Sequence, residues 1–178
     1  IQTELRDVHS ANRGQLPIGI NGTLYQWIDL DGDGGAGVLT EQAHGWFYQR
    51  NLSPLNVVGK GKDAHLEAKF APLELVSSKP NVMLADQVQF LDLAGDGRPD
   101  VVQFSGLLPG FYERTMDEQW KPFIPLTTVP HVDWNDPSLK FVDLDGDGHA
   151  DILICEQDTF VWYRSLGEEG FETAQRVK

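Results

Sequence analysis

A nine-residue loop that occurs three times does most to decide what this chain can fold into. Its fullest copy is Asp143-Leu144-Asp145-Gly146-Asp147-Gly148-His149-Ala150-Asp151, with carboxylates at positions 1, 3, 5 and 9. Alternate Asp side chains in a tightly curled loop converge on one point, and glycine supplies the backbone freedom the curl needs. A hard cation suits such a point: Ca²⁺ takes six to eight oxygen ligands, and the backbone carbonyl of His149 at position 7 is a further candidate. An EF-hand opens with the same Asp spacing but places a bidentate Glu at position 12 between two helices. Position 12 here is Ile154, and the flanks Leu139-Lys140-Phe141-Val142 and Ile152-Leu153-Ile154-Cys155 are short β-branched and aromatic runs. They predict strands, so the motif is a strand-loop-strand cation site.

The other two copies are each one carboxylate short. One carries Asp29, Asp31 and Asp33 with Gly37 at position 9; the other carries Asp92, Asp96 and Asp100 with Ala94 at position 3. Because ligand charge tunes Ca²⁺ affinity, the third loop is expected to bind most tightly. Magnesium fits less well, since it keeps several waters and rarely uses a dedicated protein cage. The competing reading is that Asp and Gly serve only as turn formers, which three copies with alternating Asp make weaker than one would.

Each loop begins a longer repeat. A strand ending in Asp leads into the loop, a second strand follows, and a third, aromatic strand closes the unit: Gly45-Trp46-Phe47-Tyr48, Gly110-Phe111-Tyr112 and Phe160-Val161-Trp162-Tyr163. Tyr48, Tyr112 and Tyr163 fall 19, 20 and 20 residues after the first loop Asp, which suggests a common register. Aromatic strands need a buried face that one small sheet cannot supply, so the units are expected to pack on one another. They span residues 22–54, 85–126 and 136–175, with an insertion at 55–84, in a single segment covering 1–178. Within the insertion, His65 to Phe70 alternates as an edge or fourth strand would, while Pro122 and Pro125 keep the stretch from Trp120 to Leu126 out of any central strand. Helical periodicity is nearly absent, and the class is all-β.

Charge narrows the function. The formal net charge is −13, with no clustered Lys or Arg, which argues against nucleic acid. Ten of the 27 acidic residues are the loop aspartates, so three bound Ca²⁺ would leave −7. No apolar run is long enough to span a membrane, and the opening residues lack the pattern of a signal peptide. The single cysteine, Cys155, lies in an apolar run and is expected to be a small buried residue.

At these loops the chain resembles the FG-GAP or VCBS repeat, the blade unit of integrin-type β-propellers with a D-x-D-G-D-G-x-x-D calcium loop. Gly110-Phe111-Tyr112-Glu113-Arg114 with Trp120-Lys121-Pro122-Phe123, then Val132-Asp133-Trp134-Asn135-Asp136-Pro137, then Trp162 through Phe171, resemble the propeller of the B component of bacterial insecticidal toxin complexes and related SpvB-like proteins. The resemblance implies a partial propeller of three to four blades and a secreted, virulence-associated protein. It also implies a role in which the propeller docks on a pore-forming component and gates release of a toxic polypeptide from a hollow shell. Propellers close with about four to eight blades. Blades are therefore expected beyond the termini, with open blade faces meeting a partner fragment or a second copy.

No catalytic motif is present, and metal-held carboxylates do not provide the two contrasting environments of an acid–base pair. The histidines form no zinc-like pair, and the His149 ring is expected to face solvent. Trp46 and Trp162, at repeat-equivalent positions, read as blade core; Trp134, in a loop without a counterpart, suits either core or a binding surface. The leading expectation is a non-enzymatic, calcium-binding interaction module. The alternatives are a secreted carbohydrate-binding or polysaccharide-active propeller and an integrin-like adhesion module.

Overall fold

A computed structural model describes residues 25–43 and 45–177. Their regular structure is strand and short 3-10 turns, and no helix is long and apolar enough to cross a membrane. The described residues fall into two compact units, one reaching to Lys79 and taking in Met83–Ala85, the other comprising Pro80–Val82 and the chain from Asp86 onward.

The first unit holds one four-stranded antiparallel sheet in the order β1 (Tyr25–Ile28), β2 (Gly37–Gln42), β3 (Gly45–Gln49), β6 (Glu74–Leu75). Trp46 is fully buried, as expected of blade core, although the pairings make its counterpart in the third repeat the exposed Phe160 and not Trp162; the Lys79 ammonium lies 5.2 Å from its ring centre. Of the two readings of His65 to Phe70, an edge strand or a fourth strand, the structure shows the edge strand. His65–Leu66 (β5) pairs with Val57–Val58 (β4) in a separate hairpin, and both strands are exposed. Gly59 has φ +87°, and a Cβ there would meet the Asp63 carbonyl at 2.4 Å, so the turn of this hairpin takes glycine. The chain then rejoins the sheet, with Phe70 bridging Asn51 just beyond β3 and the Ala71 N–H donating to the Arg50 carbonyl (2.9 Å). The two-residue β6 takes the edge.

The second unit contains two such sheets. One runs β7 (Gln89–Leu91), β8 (Asp100–Gln103), β9 (Gly110–Tyr112), β10 (Ile124–Pro125); the other runs β11 (Leu139–Val142), β12 (Asp151–Cys155), β13 (Phe160–Tyr163), β14 (Gln175–Val177). Pro125 sits on an edge strand, where a missing N–H costs no central ladder bond. The two sheets share one core. Leu91, Leu93, Val102, Phe104 and Phe111 from the first meet Ile152 and Phe171 from the second, with Phe141 and Tyr163 packed against them. Trp134 stacks on Phe104 at 4.2 Å between ring centres, nearly parallel, and Phe141 stacks on the same ring at 5.8 Å. Trp134 is therefore a packing residue, and Trp162 is half-buried on β13.

Two expectations are corrected. Cys155 is exposed, because it ends β12 opposite the exposed Phe160, beyond the part of the strand that enters the core. The tyrosine register also slips by one. Pairings Leu39↔Tyr48, Val102↔Phe111 and Leu153↔Trp162 make Tyr48 equivalent to Phe111 and Trp162, while Gln49 matches Tyr112 and Tyr163. Side chains alternate faces along a strand, so Tyr48 points to the opposite face from the other two tyrosines.

Candidate metal centre

The three loops close at one register. Ile28 faces Gly37, Leu91 faces Asp100 and Val142 faces Asp151, so each loop leaves its first strand and rejoins the second at equivalent residues. Glycines at loop positions 4 and 6 have φ between 70° and 94° in all three copies, in the left-handed region that favours glycine.

The first Asp organises each curl from inside. Asp143 accepts N–H bonds from Gly146 (2.7 Å), Asp147 (3.2 Å) and Gly148 (3.1 Å); Asp92 accepts them from Gly95, Asp96 and Gly97; Asp29 accepts them from Asp33 and Gly34. Position 5 caps the next turn, with Asp147 accepting from His149, Asp96 from Arg98 and Asp33 from Gly35.

Position 9 ties the loop to the sheet. Asp151 is fully buried and accepts the Leu144 N–H (3.1 Å) on one oxygen and the Ser165 N–H (2.7 Å) on the other. Asp100, equally buried, accepts from Leu93, Ala94 and Arg114. Burial pushes the Asp100 carboxyl up to about 6 even though these three donors act in the opposite direction.

The first loop meets the same requirement differently. Gly37 at position 9 leaves no room for any side chain, since a Cβ would lie 2.4 Å from the Gln49 carbonyl and 2.6 Å from the Tyr48 hydroxyl. That hydroxyl accepts the Leu30 N–H (3.3 Å) and donates to the Ile28 carbonyl (3.2 Å). Leu30 is the counterpart of Leu93 and Leu144, so the Tyr48 phenol occupies the role that Asp100 and Asp151 play. Burial pushes its acidity to about 12, reinforced by Asp31, Asp29 and Asp33, and keeps the phenol protonated as a donor.

Position 3 carries an ion pair. Asp145 is held by the Arg164 Nε and Asp31 by the Arg50 Nε (2.7 Å). Arg50 and Arg164 stand at one equivalent place, directly after the residues that pair with Val38 and Ile152. The second loop has Ala94 at position 3, and there the equivalent residue is Glu113, paired with Lys121. Arg164 also reaches Asp147 through Nη2 (3.1 Å), and its guanidinium holds the Asp145 carboxyl below the usual carboxylate range.

Asp143, Asp145 and Asp151 each offer a carboxylate oxygen within 4.8 Å of the others, the one such group of His, Cys, Asp or Glu among the described residues. Oxygens ligating one Ca²⁺ at about 2.3–2.6 Å lie at most about 5 Å apart, so this donor set fits a shared hard cation. Asp147 stands outside the trio, turned toward Arg164 and the His149 N–H. Asp29, Asp31 and Asp33 form no comparable group, nor do Asp92, Asp96 and Asp100, among the described residues. The His149 ring does not face solvent. It lies against the second loop, with Nδ1 3.3 Å from the Asp92 carbonyl and its edge close to Gly95 and Gly167.

Comparisons with known proteins agree with this architecture. Residues 92–154 match the FG-GAP-like repeat family. No curated protein matches. Among solved structures, the Photorhabdus luminescens Tc holotoxin pore is similar with a TM-score of 0.66 and 25% identity, covering 89% of this chain and 7% of that one. A TcdB2–TccC3 structure without its hypervariable C-terminal region gives a TM-score of 0.45 at 15% identity, over 89% of this chain and 12% of that one. A lectin of Agrocybe aegerita that recognises non-reducing terminal N-acetylglucosamine gives 0.47 at 21% identity, over 85% of this chain and 37% of that one. The three four-stranded sheets are thus consistent with partial propeller blades, the stretch 92–154 matching an FG-GAP-like repeat and the chain resembling part of a Tc toxin component.

Proposed function

We propose that these blades form a calcium-binding protein-interaction module of a secreted Tc-like B component, one that docks on the pore-forming component and takes part in gating toxin translocation. The observation that carries this reading is the similarity to the Tc holotoxin pore across 89% of the chain. The chain spans only 7% of that relative's length, so the partner contacts belong to the proposal. The oxygen trio of Asp143, Asp145 and Asp151 supports calcium in the third loop. Calcium there supplies charge neutralisation: it draws three carboxylates together and fixes the link between β11 and β12. The module is read as non-enzymatic, because the position-9 carboxylates are closed to solvent and taken up by backbone N–H groups. It is also read as binding no nucleic acid, in keeping with its net charge of −13.

Sedimentation of the parent protein with its cognate pore-forming component tests the reading. A complex is expected with the intact parent, and a weaker one when these blades are disrupted. Undiminished docking after disruption would overturn the docking role. Saturable binding or turnover of a glycan by the isolated chain would move the assignment to the carbohydrate class.

A further inference from the structure

Arg164 stands where a cation already satisfies two of the third loop's four aspartates. Its Nε engages Asp145, which belongs to the oxygen trio, and its Nη2 engages Asp147, which the trio lacks. Asp147 occupies position 5, so it would be a ligand by spacing. The guanidinium and the His149 N–H hold it away. A third carboxylate, Glu172, lies 4.0 Å from the Arg164 Nη1, the nitrogen for which no contact to Asp145 or Asp147 is seen. The arginine therefore has a second anion within reach.

The pairing follows position 3 within the chain itself. Arg50 and Arg164 are at equivalent places and each meets a position-3 Asp; where position 3 is Ala94, the residue there is Glu113. Such a match makes the arginine a built-in counter-ion for that aspartate. A metal entering the third loop must then share Asp145 with it and, to gain Asp147, take that residue from it.

We propose that Arg164 is a resident counter-cation that competes with Ca²⁺ for Asp145 and Asp147, so that loading the third loop shifts the guanidinium toward Glu172. The inference rests on the calcium reading of that loop and names what sets its affinity. Without metal, Arg164 keeps the clustered carboxylates from repelling one another; with metal, its positive charge opposes the ion. A unit charge about 4 Å from a divalent ion in a water-like dielectric changes an equilibrium by about thirtyfold, and solvent screening at these exposed groups brings the effect down to about fivefold to tenfold.

Calcium titration calorimetry and calcium-dependent melting of the whole chain test this, using wild type, Arg164→Gln, Glu172→Gln and Arg50→Gln. Arg164→Gln is expected to bind calcium about fivefold to tenfold more tightly, to melt lower in chelator, and to show a larger rise in Tm on calcium addition. Glu172→Gln is expected to bind severalfold more weakly, because the displaced guanidinium loses its alternative partner. Arg50→Gln is expected to leave the affinity within twofold. A purely structural arginine would lower Tm without tightening calcium. Unchanged or weaker affinity in Arg164→Gln, with wild type binding normally, overturns the competition and leaves the calcium reading standing. Absence of calcium binding in all four proteins overturns both.

Discussion

Replacing Tyr48 by Phe removes one oxygen from the first blade and nothing else. The ring keeps its place beneath the loop, but the Leu30 N–H and the Ile28 carbonyl lose the partner they have at 3.3 and 3.2 Å. Leu30 is 1% exposed and Ile28 8%, so water cannot take over without opening the loop. An unsatisfied buried polar group costs about 1–3 kcal/mol, and the two bonds are long, so the expected loss is about 1–3 kcal/mol for the pair. In a domain of this size that lowers Tm by about 2–12 °C. Urea denaturation in chelator and in calcium should give the same loss, since a hydroxyl and not a metal closes this loop. Tyr112→Phe is the control. Tyr112 lies on the other face of its strand, edge-on to Phe123 at 5.3 Å, and its substitution is expected to cost under about 0.5 kcal/mol. Absorbance titration adds a second readout, because one of the four tyrosines should ionise only near 12 and that late step should vanish in Tyr48→Phe. The sign is fixed: an acid group whose folded pKa is raised contributes stability that is fully present below its unfolded value near 10 and is lost as pH rises through about 12. A loss below about 0.5 kcal/mol in Tyr48→Phe, or equal losses for both tyrosines, would refute the substitution of a phenol for a carboxylate.

Calcium at about 100 times its dissociation constant is expected to stabilise the chain by about 2.7 kcal/mol, and Asp145→Ala should reduce that gain more than Asp31→Ala. Equal melting in calcium and chelator would reject it. In metal-free protein the Asp100 carboxyl is expected to titrate near 6, so its contribution to stability is present below about 3.8 and is lost as pH rises through about 6. Asp100→Asn should remove that slope between pH 4 and 7 in urea melts, and an unchanged slope would contradict the burial argument. Phe104→Ala should cost about 3–5 kcal/mol, because its ring meets Trp134, Phe141 and Phe171 in the core shared by two blades. A loss under about 1 kcal/mol, read by denaturant melting, would mean that the two sheets do not depend on that contact.

The loops were legible because their chemistry is local. Aspartates spaced by two with intervening glycines leave few conformations open, and the flanking Val, Ile and Phe residues mark strands on both sides. The fourth strands were not legible. Glu74–Leu75, Ile124–Pro125 and Gln175–Val177 are two or three residues long and largely exposed, too short to carry an alternating pattern. The alternating stretch from His65 to Phe70 divides between the β4–β5 hairpin and a single bridge to Asn51, and the sheet's edge falls to Glu74–Leu75.

Longer-range partners were harder still. Arg50 and Arg164 follow their position-3 aspartates by 19 residues, a separation that means nothing until the strand register is known. The signal was present in the tyrosine offsets of 19, 20 and 20, where the first number was the slip and not a tolerance. Read as a slip, it places Tyr48 on the face of the missing position-9 carboxylate and Arg50 opposite Asp31. Spacing alone makes position 9 one ligand among four, whereas Asp100 and Asp151 are first of all buried acceptors of backbone N–H groups. Counting carboxylates could not separate those two roles.

A crystal structure of the chain grown in calcium would show whether the third loop holds the ion. A cation is expected there about 2.3–2.6 Å from carboxylate oxygens of Asp143, Asp145 and Asp151, with the His149 carbonyl beside it and Tyr48 still closing the first loop. A third loop without a cation at millimolar calcium, or a cation seated only in the first loop among Asp29, Asp31 and Asp33, would contradict that expectation.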